Sequence, residues 1–216
     1  MSAVGVLLAA GRGRRFDPSG VQDKLLQALP NGTGAGVGAG AAVVAGVGAS
    51  ACAGDLVVVA SARILLSVLP RVVAVVRPGD ARVGAVLTAL GCDVTVCPDA
   101  DSGMAASLVH AIRTTRDAAA WMVALGDMPH VQAGTLRALL AAIKAGADIA
   151  APAYLGRRGN PVAFSRTHLS LLLALQGDQG ARSILKTHPV TEVAVADIGV
   201  VQDIDTRADL HFPTVD

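Results

Sequence analysis

The stretch with the clearest chemical potential lies near the start of the chain, where an apolar run ends in glycines and arginines. It reads LAAGRGRRF over residues 8–16, and Lys24 follows it. Glycine lets the backbone approach a phosphate closely, and Arg and Lys add charge-assisted hydrogen bonds. The stretch predicts a nucleotide-binding loop in which Arg12 and Gly13 contact the phosphates and Arg15 and Lys24 are catalytic cations. An ordinary turn with solvated arginines is the alternative.

Two common nucleotide motifs do not fit this stretch. Phe16 stands where the third glycine of GxGxxG belongs, and no acidic residue closes a second strand about twenty residues later. The sequence also contains no GxxxxGK[ST] P-loop. A Rossmann dinucleotide site is therefore the weaker interpretation.

A single carboxylate, Asp127, ends an apolar run in the segment ALGDMP. Burying a charge at the end of a sheet costs free energy unless a cation or hydrogen-bond donors compensate it. Mg²⁺ is commonly bound by one or two carboxylates together with substrate phosphates. Asp127 is therefore the predicted metal ligand, with a cap for the next helix as the structural alternative.

For the other candidate polar residues, the surrounding turn sequence indicates which role to expect. Asp178, in GDQGAR, is predicted either to cap the following helix or to act in the site, and Arg182 is placed to face a phosphate. Asp205 opens DTRADL, which is typical of a capped helix, so a structural role is expected there. The absence of HExxH and GxSxG disfavours zinc and serine hydrolases.

Apolar runs alternate along the chain with segments of helical periodicity. Patterns typical of buried strands cover residues 4–10, 71–77, 93–97, 121–125 and 148–151, and helical patterns cover residues 81–90, 104–115 and 135–145. The alternation predicts a three-layer α/β/α fold with a mostly parallel, Rossmann-like sheet in a single domain. Ligands of such sheets bind beyond the carboxyl ends of the strands, where the glycine and arginine loop and Asp127 are expected.

Composition and charge restrict the partners and the compartment. The chain is 52% hydrophobic with a net charge of +1, which does not provide the basic surface that nucleic acid binding requires. Three cysteines without a preceding secretory signal predict a cytoplasmic protein. The Gly/Ala-rich residues 33–54 are predicted to form a low-complexity insertion in the domain, and their small side chains argue against a membrane span. A monomer is expected.

Motifs along nearly the whole chain resemble those of the MobA-like molybdenum cofactor nucleotidyltransferases. They are LLAAGRGRRF at residues 7–16, KLL at 24–26, CPDADSGMAASL at 97–108, ALGDMP at 124–129, GRRGNPVAF at 156–164, GDQGAR at 177–182 and DIDTRADL at 203–210. LAAG rather than LAGG in the first motif is similar to the cytidylyltransferase branch. The spacing between Phe16 and Lys24 is longer than is usual in the family.

The resemblance implies Mg²⁺-dependent transfer of CMP from CTP to the phosphate of molybdopterin, with release of pyrophosphate. It implies that Asp127 binds Mg²⁺, that Asp178 lies near the metal or on the pterin side, and that Asn160 lies on the pterin side with Arg182 nearby. The residues implied to contact the nucleotide are Leu8, Ala9, Ala10, Gly11, Lys24, Pro98, Gly103 and Ser107.

Several alternatives stay open at this point. The nucleotide could be GTP, or the acceptor could be another phosphorylated compound. A second hypothesis is a reductase that uses NAD(P)H on the same scaffold, because the fold alone does not determine the function. A chaperone that passes finished cofactor to a molybdoenzyme client is a third.

Overall fold

The structure, a computed structural model that describes residues 2–30 and 55–211, is organised around an eight-stranded β-sheet. The strands are β1 (Ala3–Leu8), β2 (Val72–Val76), β3 (Asp93–Val96), β4 (Ala120–Leu125), β5 (Ile149–Tyr154), β6 (Arg157–Arg158), β7 (Val162–Ser165) and β8 (Thr191–Ala194). Their order is β3-β2-β1-β4-β7-β5-β6, and β8 also pairs with β5. Strands β1 to β5 and β8 run in one direction, whereas β6 and β7 run in the opposite one. The predicted mostly parallel sheet is confirmed.

Helices cover both faces of this sheet. Within the described ranges the α-helices are α1 (Val57–Leu66), α2 (Ala81–Ala89), α3 (Met104–Thr114), α4 (Ala133–Lys144), α5 (Leu169–Leu173) and α6 (Arg182–Thr187). Helices α1, α2 and α4 pack on one face, and α3, α5 and α6 pack on the other. The predicted three-layer α/β/α fold is therefore confirmed. None of the helices in these ranges combines the length and the apolarity needed to cross a membrane.

The strands alternate their side chains between the two apolar layers. In β2 every residue is buried: Val73 and Val75 contribute to the cluster under α3, and Ala74 contributes to the cluster under α1 and α2. A strand covered on both faces needs no polar positions, which explains the continuous apolar runs in the sequence. Trp121, the single tryptophan, is completely buried, and its Nε1 donates to Thr115 Oγ1 at 3.0 Å.

All the predicted strands and helices are present, with their ends displaced by a few residues. Strands β6, β7 and β8 were not predicted, because they have only two to four residues each and carry too little periodicity to be recognised. The predicted insertion at residues 33–54 lies outside the described residues and stays a prediction.

The neighbouring parallel strands β1 and β4 determine where the site lies. Leu8 and Leu125 are paired at their carboxyl ends, and the Gly126 N–H donates to the Leu8 carbonyl at 2.9 Å. A Cβ at Gly126 would lie 3.2 Å from that carbonyl oxygen, so glycine permits the close approach. Buried Ser61 of α1 places its Oγ 3.1 Å from the Gly126 carbonyl oxygen. The segments that follow β1 and β4 therefore leave the sheet side by side.

The reactivity of Cys92 and Cys97 tests the packing of the two apolar layers, because both thiols are buried. Burial raises the pKa of Cys92 to about 11, and burial also raises the pKa of Cys97. We expect both thiols of a Cys52→Ser variant to resist Ellman's reagent at pH 8 in the native state, since little thiolate is present or accessible. The same protein in guanidinium chloride should react fully, and rapid stoichiometric reaction of the native form would contradict the packing described here.

Candidate active site

The side chains of Lys24 and Asp127 meet beyond the carboxyl ends of β1 and β4. Lys24 Nζ donates a hydrogen bond to Asp127 Oδ2 at 2.6 Å and lies 3.2 Å from Asp205 Oδ1. Lys24 is buried, although the loop that carries it is largely exposed. The structure thus brings together the two residues that the sequence predicted to share one site.

The loop between β1 and Lys24 is folded into compact turns. Gly13 has a φ of +59°, and its carbonyl accepts hydrogen bonds from the N–H groups of Phe16 and Asp17 at 2.9 and 3.1 Å. The Asp17 carboxylate then accepts from the Ser19 N–H and hydroxyl and from the Gln22 N–H. Because of these turns, the long segment between Phe16 and Lys24 is compact. This explains how Lys24 still reaches Asp127.

Two opposing effects set the charge of Lys24. Burial disfavours the ammonium and by itself would lower its pKa, but the Asp127 carboxylate attracts the charge, and both Asp127 and Asp205 accept its hydrogen bonds. The net result is a raised pKa, so Lys24 is charged at neutral pH. A buried, permanently charged ammonium is well suited to binding an anionic phosphate group.

Asp127 belongs to a cluster of carboxylates with Asp203 and Asp205. One oxygen of each residue lies within 4.8 Å of the others. The backbone holds the cluster together, because the N–H of fully buried Ile204 donates to the Asp127 carbonyl at 2.9 Å. Asp203 and Asp205, on either side of Ile204, are thereby kept next to Asp127.

The charge in this cluster is not balanced by the protein alone. Asp127 Oδ1 is buried and has no hydrogen-bond partner in the described part of the chain. Burial raises the pKa of Asp203, and the negative charges of Asp205 and Asp127 raise it further. A divalent cation with a preference for oxygen ligands would relieve the repulsion and occupy the unpartnered oxygen. The three carboxylates could therefore hold a metal ion.

Asp205 has a role that the sequence did not predict. Its carboxylate lies within hydrogen-bond distance of Lys24 and accepts a hydrogen bond from Arg15 Nη1 at 2.5 Å. Asp209 makes the turn contacts instead, because its Oδ2 accepts from the N–H groups of Asp205 and Thr206. The cap expected at Asp205 is not formed by its carboxylate, which contacts Lys24 and Arg15 instead. The DID spacing was the available signal, since residues two apart in extended chain project to the same side.

Asp178 lies beside the turn that follows β3. It is not one of the clustered carboxylates of the described residues, and it does not cap α6, whose N-cap is Ala181. A Cβ at Gly103 would lie 2.3 Å from Asp178 Oδ1, and Gly103 has a φ of +119°. The turn therefore requires glycine and packs directly against Asp178. Asp178 and Asp127 line one cleft, and a role of Asp178 as a metal ligand stays a prediction.

A cleft of about 480 Å³ lies between these segments, within the usual volume range for small-molecule sites. Pro98 is exposed and does not line it. The other residues predicted to contact the nucleotide all line it: Leu8, Ala9, Ala10, Gly11, Arg12, Gly13, Lys24, Gly103 and Ser107. The sequence analysis missed Arg14 and Asp101, which also line the cleft.

A smaller hollow of about 70 Å³ adjoins the cleft. It shares Leu8, Met104 and Leu125 with the cleft, and its lining includes Asn160 and Arg182. Two of the three residues predicted for the acceptor side, Asn160 and Arg182, thus lie next to the predicted nucleotide site, and the third, Asp178, lines the cleft itself. Arg15 lies outside both cavities, exposed, and reaches the site through its ion pair with Asp205.

Comparisons of the sequence give one family and one partial relative. The chain matches the family model described as the MobA-like NTP transferase domain over residues 5–193. The purine catabolism protein PucB of Bacillus subtilis (strain 168) is 34% identical over 116 residues, which are 51% of this chain and 56% of PucB. The match therefore spans only about half the length of that curated relative.

Comparisons of the structure give the same fold. Rv0371c from Mycobacterium tuberculosis H37Rv has a TM-score of 0.73 at 27% identity, with 97% of this chain and 95% of that chain covered. A manganese complex of Rv0371c has a TM-score of 0.70 at 26% identity, with 97% and 96% covered. Molybdopterin-guanine dinucleotide biosynthesis protein A from Archaeoglobus fulgidus has a TM-score of 0.62 at 19% identity, with 96% and 94% covered. Because the family model covers most of its length, this chain belongs to the family with a MobA-like NTP transferase domain.

Proposed function

We propose that this member of a nucleotidyltransferase family transfers CMP from CTP to the phosphate of molybdopterin in a Mg²⁺-dependent reaction that releases pyrophosphate. The observation that carries the proposal is the contact between Lys24 Nζ and Asp127 Oδ2 at 2.6 Å, beside an Asp127 Oδ1 that lacks a hydrogen-bond partner among the described residues. One ammonium and one available carboxylate oxygen are the groups that a metal-bound triphosphate needs.

The metal would be held by Asp127 together with Asp203 and Asp205, whose oxygens already lie close together. The manganese complex of the similar protein Rv0371c supports a divalent metal in this fold. When bound there, Mg²⁺ supplies positive charge that offsets the carboxylates and the phosphates of the nucleotide. Asp178, which also lines the cleft, remains a second candidate for binding the metal or the acceptor.

The residues of the chain then act by alignment and charge neutralisation. The glycines of the first loop let backbone N–H groups approach the phosphates, and Lys24 and Arg12 neutralise their oxygens. An oxygen of the acceptor phosphate attacks the α-phosphorus of CTP, a new P–O bond forms, and the bond to pyrophosphate breaks. The attacking phosphate is already ionised at neutral pH, so no side chain has to remove a proton. Arg15 contributes through its ion pair with Asp205.

The preference for CTP rests on the first loop. Ala10 lines the cleft at the position where the guanylyltransferase branch tends to carry glycine. Its methyl group reduces the space next to the base, which favours a pyrimidine over the larger purine. The Archaeoglobus protein named for the guanine dinucleotide shares the fold and does not decide the base.

The acceptor is assigned to the hollow that adjoins the cleft. Asn160 offers an amide, and Arg182 offers a guanidinium that can pair with the acceptor phosphate. Leu8 and Leu125 line the cleft and the hollow alike, so an acceptor bound at the hollow would lie next to a nucleotide bound in the cleft. A cytoplasmic monomer that passes its product to a molybdoenzyme client fits this proposal.

Pyrophosphate release tests the proposal as a whole. The protein is incubated with Mg²⁺, molybdopterin and each nucleoside triphosphate in turn, and pyrophosphate is measured by a coupled enzyme assay. We expect release with CTP above all other nucleotides and none without molybdopterin. Absence of release with every nucleotide, together with oxidation of NAD(P)H, would replace the transferase with a reductase.

Asp127→Asn tests the role of the carboxylate without a large change in volume. We expect the rate of pyrophosphate release to fall at least about a hundredfold, because the metal and Lys24 lose their common partner. The melting temperature should stay close to that of the unchanged protein, since the Asp127 side chain is not part of either apolar layer. Asp117→Asn, at an exposed position before β4, is the matched control and should keep full activity.

Ala10→Gly tests the assignment of the base. Removal of the methyl group enlarges the cleft beside Ala9 and Gly11, so we expect the ratio of kcat/KM for GTP to that for CTP to rise severalfold. The kinetics are measured with both nucleotides at saturating molybdopterin. An unchanged ratio would assign base selection to another part of the cleft.

A further inference from the structure

An ion pair joins two of the segments that line the nucleotide cleft. Arg12, in the loop after β1, donates from Nε to Asp101 Oδ1 at 2.7 Å, and its Nη2 donates to Asp101 Oδ2. This is the bidentate geometry that a guanidinium also uses for phosphate. Both residues line the cleft, and neither was recognised as half of a pair from the sequence.

The Asp101 side of the pair is fixed by its surroundings. The turn that carries Asp101 is closed by a hydrogen bond from the Ser102 N–H to the Asp99 carbonyl at 2.9 Å, and the Ala105 N–H donates to the Gly177 carbonyl at 3.1 Å. The Arg12 side chain is half exposed, and its side-chain hydrogen bonds within the described residues go to Asp101 alone. The arginine is therefore the partner that can change its contacts when a ligand enters.

Two of the three cations that line the cleft are already engaged with carboxylates. Lys24 pairs with Asp127 and Asp205, and Arg12 pairs with Asp101. Arg14, which also lines the cleft, makes no ion pair within residues 2–30 and 55–211. The hydrogen bond and the charge of Arg12 lower the pKa of Asp101, so its carboxylate stays ionised at neutral pH. A triphosphate has to compete with Asp101 for the guanidinium of Arg12.

We propose that Asp101 sets the affinity for the nucleoside triphosphate by holding Arg12, which exchanges this carboxylate for the phosphates on binding and returns to it when pyrophosphate leaves. The inference rests on the proposed function for the identity of the anion. Asp101 does not contact the reacting atoms in this account, so it is a positioning residue that acts through Arg12. Because the exchange involves phosphates only, its effect must be the same for every base.

The first test is Asp101→Asn, with the Kd for CTP and for GTP measured by calorimetry in the presence of Mg²⁺ and without an acceptor. An exposed ion pair contributes at most about 1 kcal/mol, so we expect Kd to fall about two- to fivefold, by the same factor for both nucleotides. Asp93→Asn is the matched control. It breaks the Arg71–Asp93 pair, which has similar exposure and lies at the amino end of β3, the end of the strand opposite to Asp101, and it should leave both Kd values unchanged.

A double-mutant cycle separates the exchange of Arg12 from simple removal of a negative charge. In an Arg12→Gln background, we expect Asp101→Asn to have no effect on Kd, because the residue through which it acts is absent. Tightening by the same factor in both backgrounds would overturn the proposal, and so would an unchanged or weaker Kd for Asp101→Asn alone. If the unchanged protein binds neither nucleotide, the proposed function itself fails.

Discussion

Lys24 and the carboxylates of Asp127, Asp203 and Asp205 share one partly buried position, and the chemistry of the site depends on how their charges are balanced. Lys24 and Arg15 supply two positive charges against three negative ones, and one Asp127 oxygen has no partner in the described chain. A bound cation would pair with the unpartnered oxygen of Asp127 and offset the charge of the three carboxylates. Lys24 would then be able to leave Asp127 and contact a phosphate. In the proposed function, a divalent metal and an anionic substrate complete the site.

The fold imposes this arrangement through three separate parts of the chain. Adjacent parallel strands β1 and β4 place the first loop next to Asp127, and the Gly126 contact to Leu8 brings the two backbones close. The segment around Ile204 then bonds to the Asp127 carbonyl and adds two carboxylates from near the end of the described chain. Each contribution is local, but the cluster exists only when all three are in place.

Much of the fold could be predicted from the sequence, because strands that are buried on both faces appear as continuous apolar runs. The rule that parallel strands end at one edge was sufficient to bring Lys24 and Asp127 together. The same reasoning failed for Asp203 and Asp205, since they follow no recognisable strand and are held beside Asp127 by the burial and the backbone hydrogen bond of Ile204, which is distant from Asp127 in sequence. The contact of Asp178 with Gly103 could not be predicted for a related reason: the two residues are distant in sequence, and only the packing of the turn reveals the contact.

The most direct measurement of the central claim is a crystal structure with CTP and Mn²⁺, in which anomalous scattering locates the metal. We expect the manganese peak within coordination distance of Asp127 and of at least one of Asp203 and Asp205. Lys24 Nζ should have left Asp127 for a phosphate oxygen. A metal bound away from Asp127, Asp203 and Asp205, or a nucleotide bound with the Lys24–Asp127 contact intact, would contradict the account.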